Sequence, residues 1–365
     1  MRAAIYYGNR DIRWEDVPEP QTQAGQVKVK VAHNGICGTD IHEYYDGPMF
    51  APVWPHLLTG VKLPVPFGHE FSGTVVEVGH GVTGVAEGDR VAVEPVINCG
   101  DCHPCRRGDY NLCDITAFLG LASHDGGGLS EYVVVAANRV HALPSNVSLE
   151  YGAVVEPLSV AMHAVRRGRP SPAERVVVHG AGPVGIGVVQ ALAAEKLGGI
   201  IVTEISPMRR AVLQSMAIPA VVAVIDPTVV DVAEAVADLV DDTGADLTFE
   251  VAGASASSNG PDGRPLVSLN DAIASTRRGG RIVCVATHPA TTIEPNAFVF
   301  KELTIVGTAA YTATDFRRVI ALMGQGHYEV SPWIEHRTPD QLITAMNDMR
   351  RGLAAKVLID VAGNP

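Results

Sequence analysis

The first part of the chain is patterned at period two. Gln26-Val27-Lys28-Val29-Lys30-Val31 alternates polar and apolar positions and reads as a half-buried antiparallel strand. The residues from Met1 up to it share the alternation, with a loop at Pro18 and Pro20. Thr74-Val75-Val76-Glu77-Val78 and Arg90-Val91-Ala92-Val93 follow, separated by the turn Glu87-Gly88-Asp89, and Tyr132-Val133-Val134-Val135 supplies another edge. Short strands joined by Gly-rich turns predict a small β-barrel. Within this region Tyr44 to Pro66 carries Pro48, Pro52, Pro55, Pro64 and Pro66 together with several aromatics. That composition predicts a long irregular loop, either a wall of a substrate pocket or a surface insertion packed on its own aromatics.

The second part changes rhythm. Glu174-Arg175-Val176-Val177-Val178-His179 is a strand, and Gly180-Ala181-Gly182-Pro183-Val184-Gly185 leads into a helical run from Ile186 to Leu197. The next strand, Gly199-Ile200-Ile201-Val202-Thr203, ends at Glu204. Helices at Met208–Met216 and Asp231–Asp241 then alternate with strands at Val221–Ile225, Leu247–Val251, Arg281–Ala286 and Leu303–Val306. Arg277-Arg278-Gly279-Gly280 reads as the glycine-capped end of a further helix, and Cys284 as a buried structural thiol. Regular β/α alternation predicts a doubly wound parallel sheet. Past Ala313, helices at Asp315–Met323 and Pro339–Arg350 precede a last strand, Lys356-Val357-Leu358-Ile359, which is expected to return to the first domain.

The glycine turn has the context that gives G-x-G-x-x-G its meaning, a strand before it and a helix after it. Gly180 makes the turn, Gly182 lets backbone approach a pyrophosphate, and Gly185 lets the helix pack on the strand. Pro183 and Val184, in the same turn, are further candidate cofactor contacts, and the N-terminus of the helix that follows favours the phosphate charge. Glu204 can accept both ribose hydroxyls of an adenosine and would repel a 2′-phosphate, so NAD is expected over NADP. Arg209 and Arg210 are close enough in sequence to oppose that reading by reaching a phosphate.

The first part carries candidate metal chemistry. Gly68-His69-Glu70-Phe71-Ser72-Gly73 sets an imidazole beside a carboxylate, and Cys37-Gly38-Thr39-Asp40 supplies a thiol upstream. A Cys, His, Glu set suits zinc with one coordination position open. Glu156, in the apolar run around Val155-Glu156-Pro157, is a second candidate acidic ligand, because a buried carboxylate is costly unless paired or metal-bound. Asp40 is either an acceptor that fixes the tautomer of a liganding His or a helix cap. Thr39 stands near enough to touch a metal-bound substrate. Cys99, Cys102, Cys105 and Cys113 have the spacing of a closed tetrahedral zinc site that holds a lobe together, with an iron–sulfur run as the alternative.

With 365 residues, two domains are expected, and 47% hydrophobic against 19% charged residues is ordinary for a globular chain. A net charge of −12 argues against nucleic acid or anionic lipid as partners. The N-terminus lacks the apolar core of a signal peptide, and no apolar run is long enough to span a membrane. A cytoplasmic location is expected, where the six cysteines are metal ligands or free thiols.

These motifs together resemble the zinc-dependent medium-chain alcohol dehydrogenases over essentially the whole chain. The resemblance rests on Cys37 to His42, Gly68-His69-Glu70 through Gly73 and Gly79, the four-Cys lobe, and Gly180 to Gly185 with Glu204. The most similar branch is the (R,R)-2,3-butanediol dehydrogenases, through His42-Glu43-Tyr44, Asp46-Gly47-Pro48, Leu58-Thr59-Gly60-Val61, Val155 to Leu158, Ala310-Tyr311-Thr312 and Asp315-Phe316. Sorbitol-type polyol dehydrogenases share several of these, and a non-catalytic NAD- and zinc-binding relative is a further alternative. The resemblance implies a GroES-like β-barrel catalytic domain at residues 1–157 and 309–365, with the Cys₄ lobe near 95–115, interrupted by a Rossmann NAD-binding domain at 158–308. It implies an active site in the cleft between them, one catalytic and one structural zinc, and a homodimer or homotetramer. It also implies Cys37, His69 and one of Glu70 and Glu156 on the catalytic zinc. Thr39 would accept the proton of a small alcohol or vicinal diol and pass it through the nicotinamide ribose to His42, with the ketone as product.

Overall fold

The computed structural model describes the chain except residues 241–243, 260–264, 289–292, 294 and 362–365. The described residues divide into two compact units. One comprises Met1–Pro157, Tyr311–Gln325 and Ile334–Pro365, and the other Leu158–Ala310 and Gly326–Trp333.

The first unit is built on strand Gln26–Gly35. Its alternating valines, Val27, Val29 and Val31, are fully buried and face a core with Phe67, Phe71, Leu129 and Val357. Period-two patterning thus does what it predicts: one face of the strand enters the core. Glu70–Val78 pairs antiparallel with Gln26–Gly35 from Val27 to Gly35, while Tyr132–Ala136 pairs with its first half and the last strand Lys356–Asp360 with its last residues, both also antiparallel. Arg90–Val93, Val140–Ala142 and Ile334–Arg337 extend this sheet, and Arg2–Gly8, Asp11–Asp16 and Val65–Pro66 form a second one. The last strand returns to the first unit as expected, with Leu358 opposite Gly35 and Asp360 opposite His33.

The second unit holds a six-stranded parallel sheet. Numbering its strands along the sequence, the spatial order is 3-2-1-4-5-6, from Val221–Ile225 through Ile200–Thr203, Val176–His179, Ala245–Glu250 and Thr276–Cys284 to Thr304–Gly307. This is the doubly wound dinucleotide-binding topology. The helix expected at Asp231–Asp241 runs over Val232–Val240, and residue 241 lies outside the described residues.

One expectation is corrected here. Arg277 to Gly280 do not cap a helix. The helix Ser268–Ser275 ends at Thr276, and residues 277–280 belong to the strand Thr276–Cys284. Its neighbour pairs Ala245 with Thr276 and Leu247 with Arg281, so residues 277–280 bulge out of the ladder. Gly279, at φ +68°, serves that bulge, not a helix end. Cys284 closes the same strand half-buried, its thiol pushed up to about 11 by burial and then by the charge of Glu250.

Beneath the sheet's carboxyl end lies a buried polar trio. His179 Nδ1 is 3.0 Å from Thr203 Oγ1, and Nε2 is 3.2 Å from Ser275 Oγ. Ser275 Oγ donates to Asp271 O at 2.6 Å, so it accepts from His179 Nε2–H, and Nδ1 in turn accepts from Thr203. The neutral ring is therefore fully satisfied. Burial pulls its pKa from 6.5 down to about 4, against a smaller opposing pull from Glu250. Between those values the unfolded chain binds the extra proton, so this residue makes stability fall as pH drops from about 6.5 to about 4. The contribution reaches up to about 3 kcal/mol. His179→Gln is expected to flatten the pH dependence of the urea midpoint in this window; an unchanged slope would show that the ring is not held neutral.

Candidate active site and metal centres

Gly35 and Glu70 are partners in the antiparallel ladder. That register brings together the residues just outside two strand ends: Cys37, at the start of helix Gly38–Asp46, and His69, immediately before Glu70. Ligand atoms of Cys37, His69 and Glu70 all lie within 4.8 Å of one another. Asp40 faces two ways, and the helix cap is the role it fills with a hydrogen bond. Oδ2 accepts the Cys37 backbone N–H at 2.9 Å, capping the helix, and Oδ1 stands 3.1 Å from His69 Nδ1. With Nδ1 facing a carboxylate, Nε2 is the nitrogen available to a metal.

Lys356 completes the arrangement from the last strand. Its buried ammonium pairs with Glu70 Oε2 and donates to the carbonyl of Ile36 at 2.8 Å. Glu70 Oε1 has no hydrogen-bond partner among the described residues. Glu156, in the first turn of helix Val155–Gly168, is buried but stands outside the 4.8 Å group. Burial, then the nearby charge of Glu70, push its carboxyl up to about 7. Tyr311 is fully buried beside it, with a hydroxyl that makes no well-aligned hydrogen bond. Burial and then the Glu70 charge also raise the Cys37 thiol. For His69, burial disfavours the cation, but Asp40 and then Cys37 outweigh it and hold its pKa well above the usual value. A thiol, an imidazole and a carboxylate with one orphaned oxygen, packed this tightly, fit zinc.

Thr39 is half-buried one residue from Asp40. His42 is not brought into the group: it lies on the exposed side of the same helix, with Nδ1 3.2 Å from Asp46 Oδ2. The Pro-rich segment, expected to be irregular from Tyr44, is helical through Asp46 and irregular only from Gly47 up to Val65–Pro66; it is anchored by Glu43. That buried carboxylate accepts backbone N–H groups from Met49 at 3.0 Å, Phe50, and Ala51 at 3.2 Å. Glu43 and Lys356 are the residues that sequence reasoning missed as site components. A carboxylate one residue after His42 and a lysine opening an apolar strand were the available signals, but their partners lie in other segments.

The sulfurs of Cys99, Cys102, Cys105 and Cys113 also converge within 4.8 Å. Cys99 Sγ and Cys105 Sγ are 3.9 Å apart, too far for a disulfide at about 2.05 Å. A zinc–sulfur bond of about 2.3 Å gives a tetrahedron with edges of about 3.8 Å, so the group fits a closed zinc site. Backbone N–H groups of Cys102 at 3.3 Å and Asp101 at 3.4 Å pull the Cys99 thiol down to about 6, favouring the thiolate a metal needs.

In the second unit a cleft is lined by Gly180, Gly182, Glu204, Arg209, Gly253 and Asp271. A Cβ on Gly185 would lie 2.0 Å from the Gly180 carbonyl, so only glycine lets helix Pro183–Ala194 close on the turn. A Cβ on Gly182 would meet nothing nearer than Arg209 Nη1 at 3.9 Å, leaving room for a pyrophosphate at the helix N-terminus. Val184 sits in that first turn. Glu204 is buried: Oε2 accepts Ala181 N–H at 2.7 Å and Oε1 accepts Ser206 N–H at 2.8 Å. Arg210 is turned to the carbonyls of Glu204 and Ile205 and to Asp226 at 2.8 Å, and Arg209 alone of the two arginines lines the cleft. Among the described residues no helix is long and apolar enough to cross a membrane.

Residues 23–145 match the alcohol dehydrogenase GroES-like domain, and residues 183–325 the zinc-binding dehydrogenase domain. The chain is 41% identical to the (R,R)-butanediol dehydrogenase of Bacillus subtilis (strain 168), over 90% of this chain and 89% of that one. It is 32% identical to the sorbitol dehydrogenase of the same organism, over 98% and 94%. The crystal structure of 2R,3R-butanediol dehydrogenase from Bacillus subtilis superimposes with a TM-score of 0.87 at 37% identity, covering 98% of this chain and 99% of that one. Barrel, parallel sheet, motifs and relatives agree: the chain belongs to the zinc-dependent medium-chain alcohol dehydrogenases, enzymes that use zinc and a nicotinamide cofactor.

Proposed function

We propose that this dehydrogenase interconverts a small vicinal diol and its hydroxyketone with NAD, (R,R)-2,3-butanediol and acetoin being the fitting pair. The observation that carries the reading is a second buried carboxylate, Glu156, outside the Cys37, His69 and Glu70 group but near enough to feel the charges of Glu70 and His69, in a chain 41% identical to a butanediol dehydrogenase. Cys37, His69 and one of Glu70 and Glu156 hold the catalytic zinc; the other carboxylate, with the Tyr311 hydroxyl, receives the second hydroxyl of a diol. Zinc there supplies Lewis acidity toward the reacting oxygen. Asp40 faces His69 Nδ1; Thr39 would accept the substrate hydroxyl proton while releasing its own toward solvent, where exposed His42 would exchange it. Gly180, Gly182, Pro183, Val184 and Gly185 seat the pyrophosphate, and Glu204 takes the adenosine ribose. The polyol reading rests on the sorbitol dehydrogenase similarity across 98% of the chain.

A site built to bond a hydroxyl rejects the analogue lacking it, because its own polar group is left unpaired. The kcat/KM for 2,3-butanediol is expected to exceed that for 2-butanol by about a hundredfold or more. Equal values would show that the second hydroxyl is not read, and preference for sorbitol would support the polyol reading.

Cofactor choice is tested separately. Glu204→Ala is expected to raise the KM for NAD about tenfold, the scale of one or two lost hydrogen bonds. A wild-type preference for NADP would instead make Arg209 the reader of a phosphate.

The structural metal gives a third test. Metal analysis is expected to find two zincs per chain, and Cys102→Ser one. The variant should melt roughly 10 °C lower, the scale of losing a structural metal, while its folded fraction keeps turnover. A folded variant with catalytic zinc and no turnover would refute the separation of roles.

A further inference from the structure

On the first unit, among residues that belong to neither thiol group, two imidazoles converge on one carboxylate oxygen. His33 Nδ1 is 2.8 Å from Asp360 Oδ1, and His336 Nδ1 is 2.7 Å from the same atom. The other nitrogen of His336, Nε2, is 2.9 Å from Glu150 Oε1. The sheet places the first three. Asp360 lies directly opposite His33 across the antiparallel pair, and the parallel strand Ile334–Arg337 sets His336 opposite Leu358, two residues before Asp360 on the same face. The two rings stand edge to face, 5.4 Å between centroids. Candidate ligand atoms of His33, His336 and Asp360 lie within 4.8 Å of one another.

The geometry points to a third divalent-cation site, in which His33 Nδ1, His336 Nδ1 and Asp360 bind a borderline transition metal such as Zn²⁺, with the remaining positions on water. Two imidazoles and a carboxylate are a donor set for this class of cation. Glu150 supplies the partner such a site needs: by accepting His336 Nε2–H, it leaves Nδ1 with the lone pair for the metal. Without metal, both nitrogens of His336 face carboxylates, which favours its protonated form and raises its pKa despite burial. A tetrahedral shell with bonds of about 2.0–2.1 Å spaces its donors about 3.3 Å apart. Entry of an ion therefore requires the present 2.7 and 2.8 Å separations to open by roughly 0.5 Å. The side chains are 24% (His33), 36% (Asp360) and 38% (His336) exposed, so they have that freedom, and the ion would be exchangeable. Once bound, it would tie the last strand to Gln26–Gly35 and, through Glu150, to helix Leu149–Gly152.

The experiment is equilibrium dialysis of the untagged full-length enzyme, with its resident metal in place, against Zn²⁺ up to about 0.1 mM. Wild type is expected to take up one equivalent more than the His33→Gln/His336→Gln variant, whatever the resident count in both. Glu150→Gln, which keeps all three ligands, is expected to weaken that equivalent about 10- to 100-fold. Dehydrogenase turnover of the double variant should stay at the wild-type level. Equal uptake by wild type and double variant overturns the site. If the double variant fails to fold, Asp360→Asn replaces it, and wild-type uptake in that variant likewise overturns the site. Unchanged affinity in Glu150→Gln overturns the assigned role of Glu150.

Discussion

The candidate centre hangs on the buried ion pair of Lys356 and Glu70. Each side chain is 1% exposed, and their sequence separation puts them at opposite ends of the chain. The Lys356 ammonium reaches the carbonyl just before Cys37 as well as the carboxylate just after His69. One cation from the last strand thus fixes both ligand-bearing segments. Burying two charges is expensive, and a pair broken on one side costs about 3–5 kcal/mol because the other charge is stranded. The centre therefore requires the closing strand to be in register with Gln26–Gly35.

Asp40 is the local counterpart of that long-range constraint. Its two oxygens do separate work, holding the start of the ligand helix and facing His69. A single carboxylate thus caps the helix at Cys37 and stands beside His69. Glu43, one turn further along the same helix, does for the Pro-rich segment what Asp40 does for the ligands, turning an irregular run into an ordered one through backbone N–H groups. The same short helix exposes His42 to solvent on its other side, so helical phase separates it from buried Asp40.

The second unit depends on a different constraint, close approach of backbone. Gly185 is excluded from carrying a side chain by the Gly180 carbonyl, and Gly182 faces open space. Glu204 ties the strand after the helix back to the turn through Ala181 N–H. The carboxylate proposed to read the ribose thus also stiffens the loop proposed to seat the pyrophosphate.

Much of this was determined by the sequence itself. Period-two valines define the sheet strand at Gln26–Gly35, and strand–glycine turn–helix at Val176 to Ala194 defines the nucleotide fold, because side-chain periodicity and glycine's lack of a Cβ are local properties. Cysteine spacing from Cys99 to Cys113 likewise marks a group of four converging thiols within one short segment. The mistaken helix cap at Arg277 to Gly280 shows the limit: glycine with positive φ serves a bulge as well as a helix end, and only the neighbouring strand decides which. Lys356 beside Glu70, Tyr311 beside Glu156, and His33 with His336 and Asp360 were not legible, since each joins segments far apart in the chain. Such contacts are fixed by strand register, which a sequence specifies only through the whole packed core.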